Sequence, residues 1–237
     1  MTLEVKKNNS KLIKRIILGV VVLIAAIFFG RVALWENNYY QSMEGSERAI
    51  ALSAGDVSAN NPDEEEIDTT EVTEQMVKEY IVAPDMPRYL SISKIGVKNA
   101  RIFSVGTTSD GRMDTPKGIY DVGWWNGSNL PGTGGTAILD GHSALGKYYA
   151  LFDDLPKLVS GDTITIEMGN GALLTYRVYD NITVTLDEAN EKMAALTRTP
   201  VEGTESISII TCTGDWSDKQ QTMLKRQFLR ATLVSKT

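Results

Sequence analysis

From Arg88 to the C-terminus the chain is cut into short runs rich in Ile, Val, Thr and Tyr, and this pattern constrains its fold most. Seven runs stand out: Tyr89–Ser93, Ala100–Val105, Thr136–Asp140, Thr163–Glu167, Leu173–Val178, Ser206–Thr211 and Gln227–Val234. Turn residues bound most of them, at Gly106, Asp110-Gly111, Gly161-Asp162 and Gly169-Asn170-Gly171, as expected of strands joined by tight connections. Thr163-Ile-Thr-Ile alternates apolar with polar, the period of a half-buried strand. Short strands at regular spacing predict a mostly β domain, a sandwich or a barrel. Short helices are expected near Tyr148–Leu155 and Asp187–Leu196, and no internal repeat is visible.

The residues before this region have another character. Ile16 to Gly30 is free of charge, and the apolar run continues past Arg31 to Trp35. A spanning helix needs about 20 apolar residues. Residues 16–35 meet that length if Arg31 extends its head group to the interface, with Trp35 as an interfacial anchor. Lys6, Lys7, Lys11, Lys14 and Arg15 precede the run, so residues 1–15 are expected to stay in the cytoplasm and the rest to be exported from a single-pass cell-membrane anchor. A cleaved signal peptide is the rival reading, but no small-x-small site precedes Phe28-Phe29. Residues 36–85 carry thirteen acidic side chains against two basic ones and read as an acidic extracellular stalk. Within it, Val72, Met76 and Tyr80 recur at helical spacing and predict a short helix over Thr70–Ile81. Pro84 and Pro87 mark the entry to a domain over residues 86–237, where sixteen charges of each sign cancel. No concentrated basic face exists for nucleic acid; the basic block lies beside the apolar run, where the partner is a membrane.

The chain has one cysteine and one histidine. An intramolecular disulfide is impossible, a Cys/His zinc site is nearly excluded, and no metal or cofactor is expected. Cys212 follows an apolar run and precedes the polar Thr213-Gly-Asp, so its thiol is expected at a rim; a leftover cysteine in an exported chain is a candidate reactive thiol. The plainer reading is a small buried hydrophobe. His142 also follows a strand, in Leu139-Asp-Gly-His-Ser, and imidazole titrates where a thiol needs a proton partner. An acyl-transfer site also needs donors aimed at the oxygen that becomes negative. Arg226 and Arg230 both qualify, since alternation puts them on one face of the last strand, and spacing alone does not separate them.

These residues, with their surroundings, resemble the sortase family. The pieces are Arg88-Tyr-Leu-Ser-Ile-x-Lys-Ile-Gly-Val, Val122-Gly-Trp-Trp, Pro131-Gly-x-Gly-Gly, Asp140-Gly-His-Ser, Phe152-Asp-Asp-Leu-x-x-Leu-x-x-Gly-Asp, Ile210-Thr-Cys and Arg226, in the family's order over Arg88–Val234. The family's Thr-Leu-x-Thr-Cys motif reads Ser208-Ile-Ile-Thr-Cys here, a departure at two positions that keeps the Thr before Cys. On this resemblance Cys212 matches the nucleophile, His142 the proton-transfer residue, and Arg226 the catalytic arginine better than Arg230.

The resemblance implies a closed eight-stranded barrel and a cysteine transpeptidase. Its substrates would be surface proteins bearing an L-P-x-T-G-like sorting signal, cleaved between Thr and Gly through a thioacyl intermediate. The acceptor amine would come from a cell-wall precursor or a pilin lysine. Pilin-polymerising members carry an Asp-Pro-aromatic lid and often a C-terminal membrane helix. Ala83-Pro-Asp-Met does not fit that lid and the chain stops at Thr237, which favours wall anchoring. Thr185–Glu205 falls where the family reads its sorting signal. The alternative from another class is a non-catalytic anchored β-domain, an adhesin or scaffold with Cys212 as core.

Three motif-like strings lack their context. Leu130-Pro-Gly-Thr-Gly spells a sorting signal but precedes no apolar run and basic tail, so it is expected to be a turn. Gly141-His-Ser-Ala-Leu-Gly-Lys nearly spells a phosphate loop, but Tyr148 stands where a magnesium-binding hydroxyl is needed. Leu145 breaks the Gly-x-Ser-x-Gly elbow around Ser143.

Overall fold

The computed structural model describes residues 67–237 except 110, 144–146, 201–202 and 221. The expected anchor over residues 16–35, the cytoplasmic residues 1–15 and most of the acidic segment lie outside the described residues. Among the described residues no helix is long and apolar enough to cross a membrane.

Eight strands close into a barrel. In chain order they are β1 (Pro87–Ile92), β2 (Val97–Val105), β3 (Val122–Trp125), β4 (Gly135–Asp140), β5 (Thr163–Met168), β6 (Leu173–Thr185), β7 (Glu205–Ser217) and β8 (Thr222–Lys236). Around the barrel the order is β1-β2-β3-β4-β7-β8-β6-β5, and β5 returns to β1. Closure leaves no free sheet edge. The seven expected strands are all present. The eighth, Val122-Gly-Trp-Trp, is only four residues long and buried on both faces, so its sequence shows no alternation to read.

Strand alternation sorts the apolar side chains into two cores. Leu90, Ile102, Leu139, Ile207, Ile209 and Leu229 fill the barrel interior. Their neighbours Ile138, Ile210 and Phe228 point the other way, joining Val105, Trp125 and Val184 in a second cluster outside the wall. A helix completes that cluster. It is the second of two in the described residues: α1 is Glu74–Glu79 and α2 is Leu186–Leu196. The Thr185 hydroxyl caps the Glu188 N–H while the Glu188 carboxylate accepts from the Thr185 N–H, a reciprocal capping box that starts α2 beside the wall. Ala189, Met193 and Leu196 then bury one face of α2 over β8 and β6.

Two local expectations differ from the structure. The helix predicted over Thr70–Ile81 is shorter, because Thr73 adopts an extended backbone and caps the Met76 N–H. It also lies against the barrel: Tyr80 packs on Phe103 at 4.9 Å between ring centroids, and its hydroxyl donates to the Ile102 carbonyl. The helix expected near Tyr148–Leu155 is a series of turns ending in a single 3-10 turn, Leu155–Lys157. The Asp153 carboxylate accepts from the Ala150 N–H at 2.8 Å, a side-chain contact that competes with the helical ladder, and Pro156 cannot donate.

Candidate active site

The strand pairing assembles the site. β4 and β7 run parallel with Asp140 opposite Ile210, so the residues that follow Asp140 emerge beside Thr211 and Cys212. Two hydroxyls fasten this junction. Thr211 Oγ1 donates to the Gly141 carbonyl at 2.7 Å, and Ser143 Oγ donates to the Cys212 carbonyl. His142 is therefore held between two residues that are each bonded to the Cys212 segment. Gly141 has no room for a side chain: a Cβ there would lie 2.7 Å from the Phe152 ring.

β7 does not end at Cys212, as the polar residues after it suggest, but continues to Ser217. What changes there is the register. Thr213 faces Lys225 while Trp216 faces Met223, so one extra residue bulges from β7, at the place where Gly214 takes φ +83°. The bulge twists the hairpin just beyond the thiol.

Cys212 lies directly opposite Arg226 on β8. Alternation puts both on the outer face with Ile210 and Phe228, next to the second apolar cluster rather than inside the barrel. The nucleophile candidate thus sits in the barrel wall and is part-exposed.

Arg226 and Arg230 share a face but not an environment. Arg226 is 3% exposed, and its guanidinium donates to the carbonyls of Met223 (2.8 Å) and Lys225 (3.0 Å) and to Thr222 Oγ1 (3.0 Å). All three acceptors are neutral, and among the described residues no carboxylate cancels its charge. Arg230 is paired with the Asp180 carboxylate, donates to the Ala195 carbonyl at the end of α2, and stacks over Tyr179. The two arginines differ in partners: Arg226 has only neutral acceptors and lies opposite Cys212, and Arg230 ties α2 to the wall.

Electrostatics follow from this packing. Burial pushes the Cys212 thiol above its ordinary value; Arg226 opposes the shift and Asp140 adds to it. Burial lowers the His142 imidazole, countered in part by its bond to Pro116. That bond, 2.7 Å from Nε2 to the Pro116 carbonyl, fixes the tautomer. A carbonyl only accepts, so Nε2 carries a proton and Nδ1 is the ring atom left to exchange one. Pro116 left no signal in the sequence, because the contact is a backbone carbonyl 26 residues before the histidine. Thr211 and Ser143 were visible as members of the motifs around the two candidates, but not as the hydroxyls that join the two segments. Among the described residues no cluster of His, Cys, Asp or Glu could hold a metal ion.

Two of the three motif-like strings are also placed. Leu130–Gly134 is a turn at which the Glu205 carboxylate accepts from the N–H groups of Gly132 (2.7 Å) and Gly134 (3.0 Å). Ser143 is buried with its hydroxyl committed to Cys212, not poised as a nucleophile.

A barrel of this order carries the Cys212 thiol opposite the Arg226 guanidinium, with the residues flanking His142 bonded to the Cys212 segment. The family model described as the Sortase domain matches residues 90–234. The chain belongs to the sortase family, whose members are transpeptidases. A search of the curated proteins returns no match. Among solved structures, sortase C-1 from Actinomyces oris is similar at 26% identity, covering 68% of this chain and 80% of that one, with a TM-score of 0.47. Sortase C1 from Streptococcus agalactiae is similar at 28% identity, with 70% and 78% covered and a TM-score of 0.46. The pilus-related sortase C of Group B Streptococcus is similar at 19% identity, with 84% and 89% covered and a TM-score of 0.48.

Proposed function

We propose that this sortase cleaves an L-P-x-T-G-like sorting signal between Thr and Gly and transfers the new C-terminus to an amine, with Cys212 as nucleophile, His142 as proton carrier and Arg226 as oxyanion donor. The observation that carries the reading is the convergence of three distant segments: residues 141 and 143 bonded to 211 and 212, and Arg226 opposite Cys212. Proton transfer from the thiol to Nδ1 of His142 generates the thiolate. Sulfur attacks the Thr carbonyl carbon, and the oxygen that becomes negative is met by the Arg226 guanidinium. Collapse breaks the Thr–Gly bond; the imidazolium returns its proton to the departing Gly amine, leaving a thioester on Cys212. The acceptor amine then attacks that thioester, gives a proton to the imidazole and restores the thiol.

The acceptor in this reading is an amine of a cell-wall precursor. Residues 16–35 hold the chain in the cell membrane, with the N-terminus cytoplasmic and the barrel outside. The test supplies a sorting peptide with and without a glycine-type amine and identifies products by mass. A ligated product is expected. Peptide hydrolysed in the presence of excess amine would replace transpeptidation with hydrolysis, and no cleavage of any sorting peptide would remove the reading.

A further inference from the structure

One buried group beside the thiol has no part in that mechanism. Asp140 ends β4, two residues before His142, and the residue is 5% exposed. Its Oδ1 has no hydrogen-bond partner. The carboxyl lies on the backbone of Gly123, its opposite residue in β3: a Cβ on Gly123 would fall 2.2 Å from Asp140 Oδ1, 3.0 Å from Pro116 Cδ and 3.2 Å from Val105 Cγ2. A side chain on Gly123 would occupy the carboxyl's place. The same Pro116 holds the His142 ring through its carbonyl.

A buried carboxylate is expensive unless a cation or several donors meet it. Asp140 has neither. Among the described residues, the charged groups acting on it from the packed elements are acidic. Asp114, in the segment after β2, repels its charge. Cys212, from β7, feels it in turn. β3 offers only Gly123, and the Val105–Pro116 side offers apolar atoms. Alternation along β4 puts Asp140 on the face of Ile138, the outer face that carries Cys212.

We propose that Asp140 is a positioning residue for the nucleophile, a carboxyl whose charge state sets how readily Cys212 becomes a thiolate. Protonated, Asp140 leaves Arg226 unopposed and permits the thiolate. Ionised, it sets a negative charge against the one that sulfur would carry and holds Cys212 as the thiol. Burial and Asp114 raise the carboxyl well above its ordinary range, and its charge is in turn one of the causes that push the thiol up. The two groups therefore titrate as a coupled pair, and thiolate formation in the native chain is spread over a wider pH range than a lone thiol needs. This rests on the reading of Cys212 as the reacting thiol, but the charge coupling is measurable without turnover.

The experiment is the pH dependence of Cys212 alkylation by iodoacetamide, a neutral reagent, in the native protein and in Asp140→Asn. The amide keeps the shape of the protonated acid and cannot ionise. The variant should alkylate at a lower pH half-point and with a steeper, single-group curve. Lowering the half-point by about one pH makes labelling about tenfold faster on the acid side of the curve. An unchanged or raised half-point in folded Asp140→Asn overturns the proposal. Should that variant fail to fold, the carboxyl carbon of Asp140 in the native chain, followed by 13C NMR, decides it. A midpoint well above the ordinary 3.8 supports the proposal, and one at or below 3.8 overturns it. Loss of transpeptidation in Cys212→Ala, with no change of alkylation half-point in Asp140→Asn, would leave the catalytic reading standing and remove this one.

Discussion

Cys212 and Arg226 are directly opposed residues of the β7–β8 hairpin, fourteen positions apart in the chain and one hydrogen-bonded ladder apart in space. The pairing gives the guanidinium a fixed place beside the sulfur. The three neutral acceptors around Arg226 orient it without cancelling its charge. Arg226→Ala should therefore lower kcat by about 10²–10³, the cost of deleting one oxyanion donor, with little change in substrate affinity. Arg230→Ala should instead lower stability by about 1–3 kcal/mol, since it strands the Asp180 carboxylate, and leave kcat nearly intact in the folded fraction. Steady-state kinetics with thermal melts separates the two. A dead Arg230→Ala beside an active Arg226→Ala would reverse the assignment.

The pH profile follows from the two opposite shifts at the dyad. The attacking form has a proton on His142 and none on Cys212. Between the two pKa values the pair holds one proton in total, so for a given charge state of Asp140 the reactive fraction is constant. As pH falls through the imidazole value both groups are protonated and the thiolate is lost. As pH rises through the thiol value both are bare and the proton donor is lost. Burial takes the imidazole below its ordinary 6.5 and the thiol above its ordinary 9.0. The kcat/KM profile should be a wide bell, its acid limb below 6.5 and its alkaline limb above 9.0. An acid limb centred above 6.5 would contradict the burial argument.

Thr211 holds the histidine segment through its hydroxyl on the Gly141 carbonyl. Thr211→Val keeps the shape and removes the donor. It should cost about 1–3 kcal/mol of stability and lower kcat more than it raises KM, because the misplaced group is the proton carrier rather than a substrate contact. Thr211→Ser should recover most of the loss. Equal kinetics for Val and Ser at this position would mean that the hydroxyl does not position His142.

Much of this architecture could be read from residues alone, and the limits have identifiable causes. Periodicity located seven strands because each alternates or ends at a glycine turn. It missed Val122–Trp125 as a strand because buried faces on both sides erase alternation. The helix expected near Asp187–Leu196 is present as Leu186–Leu196, and the capping pair Thr185 and Glu188 that starts it was a further signal that went unread in the sequence. The turns at Tyr148–Leu155 were not legible, because a side chain, Asp153, takes the place of the backbone ladder. Cys212 and His142 were found by scarcity and by their places after strands. Two things stayed hidden. The different surroundings of Arg226 and Arg230 depend on Asp180, a partner 50 residues from Arg230. The orientation of His142 depends on the Pro116 carbonyl, a group every residue possesses. An aspartate closing the apolar run Ala137-Ile-Leu-Asp was the one available hint of the carboxyl beside the thiol.

The central claim is that sulfur of Cys212 takes hold of a peptide carbonyl. Intact-protein mass spectrometry of the native chain, quenched in acid after mixing with a sorting peptide and no amine, reads this directly. A covalent adduct with the mass of the acyl fragment is expected, mapping to Cys212, discharged by hydroxylamine and absent from Cys212→Ala. Cleaved peptide with no adduct, or turnover that persists in Cys212→Ala, would contradict the account.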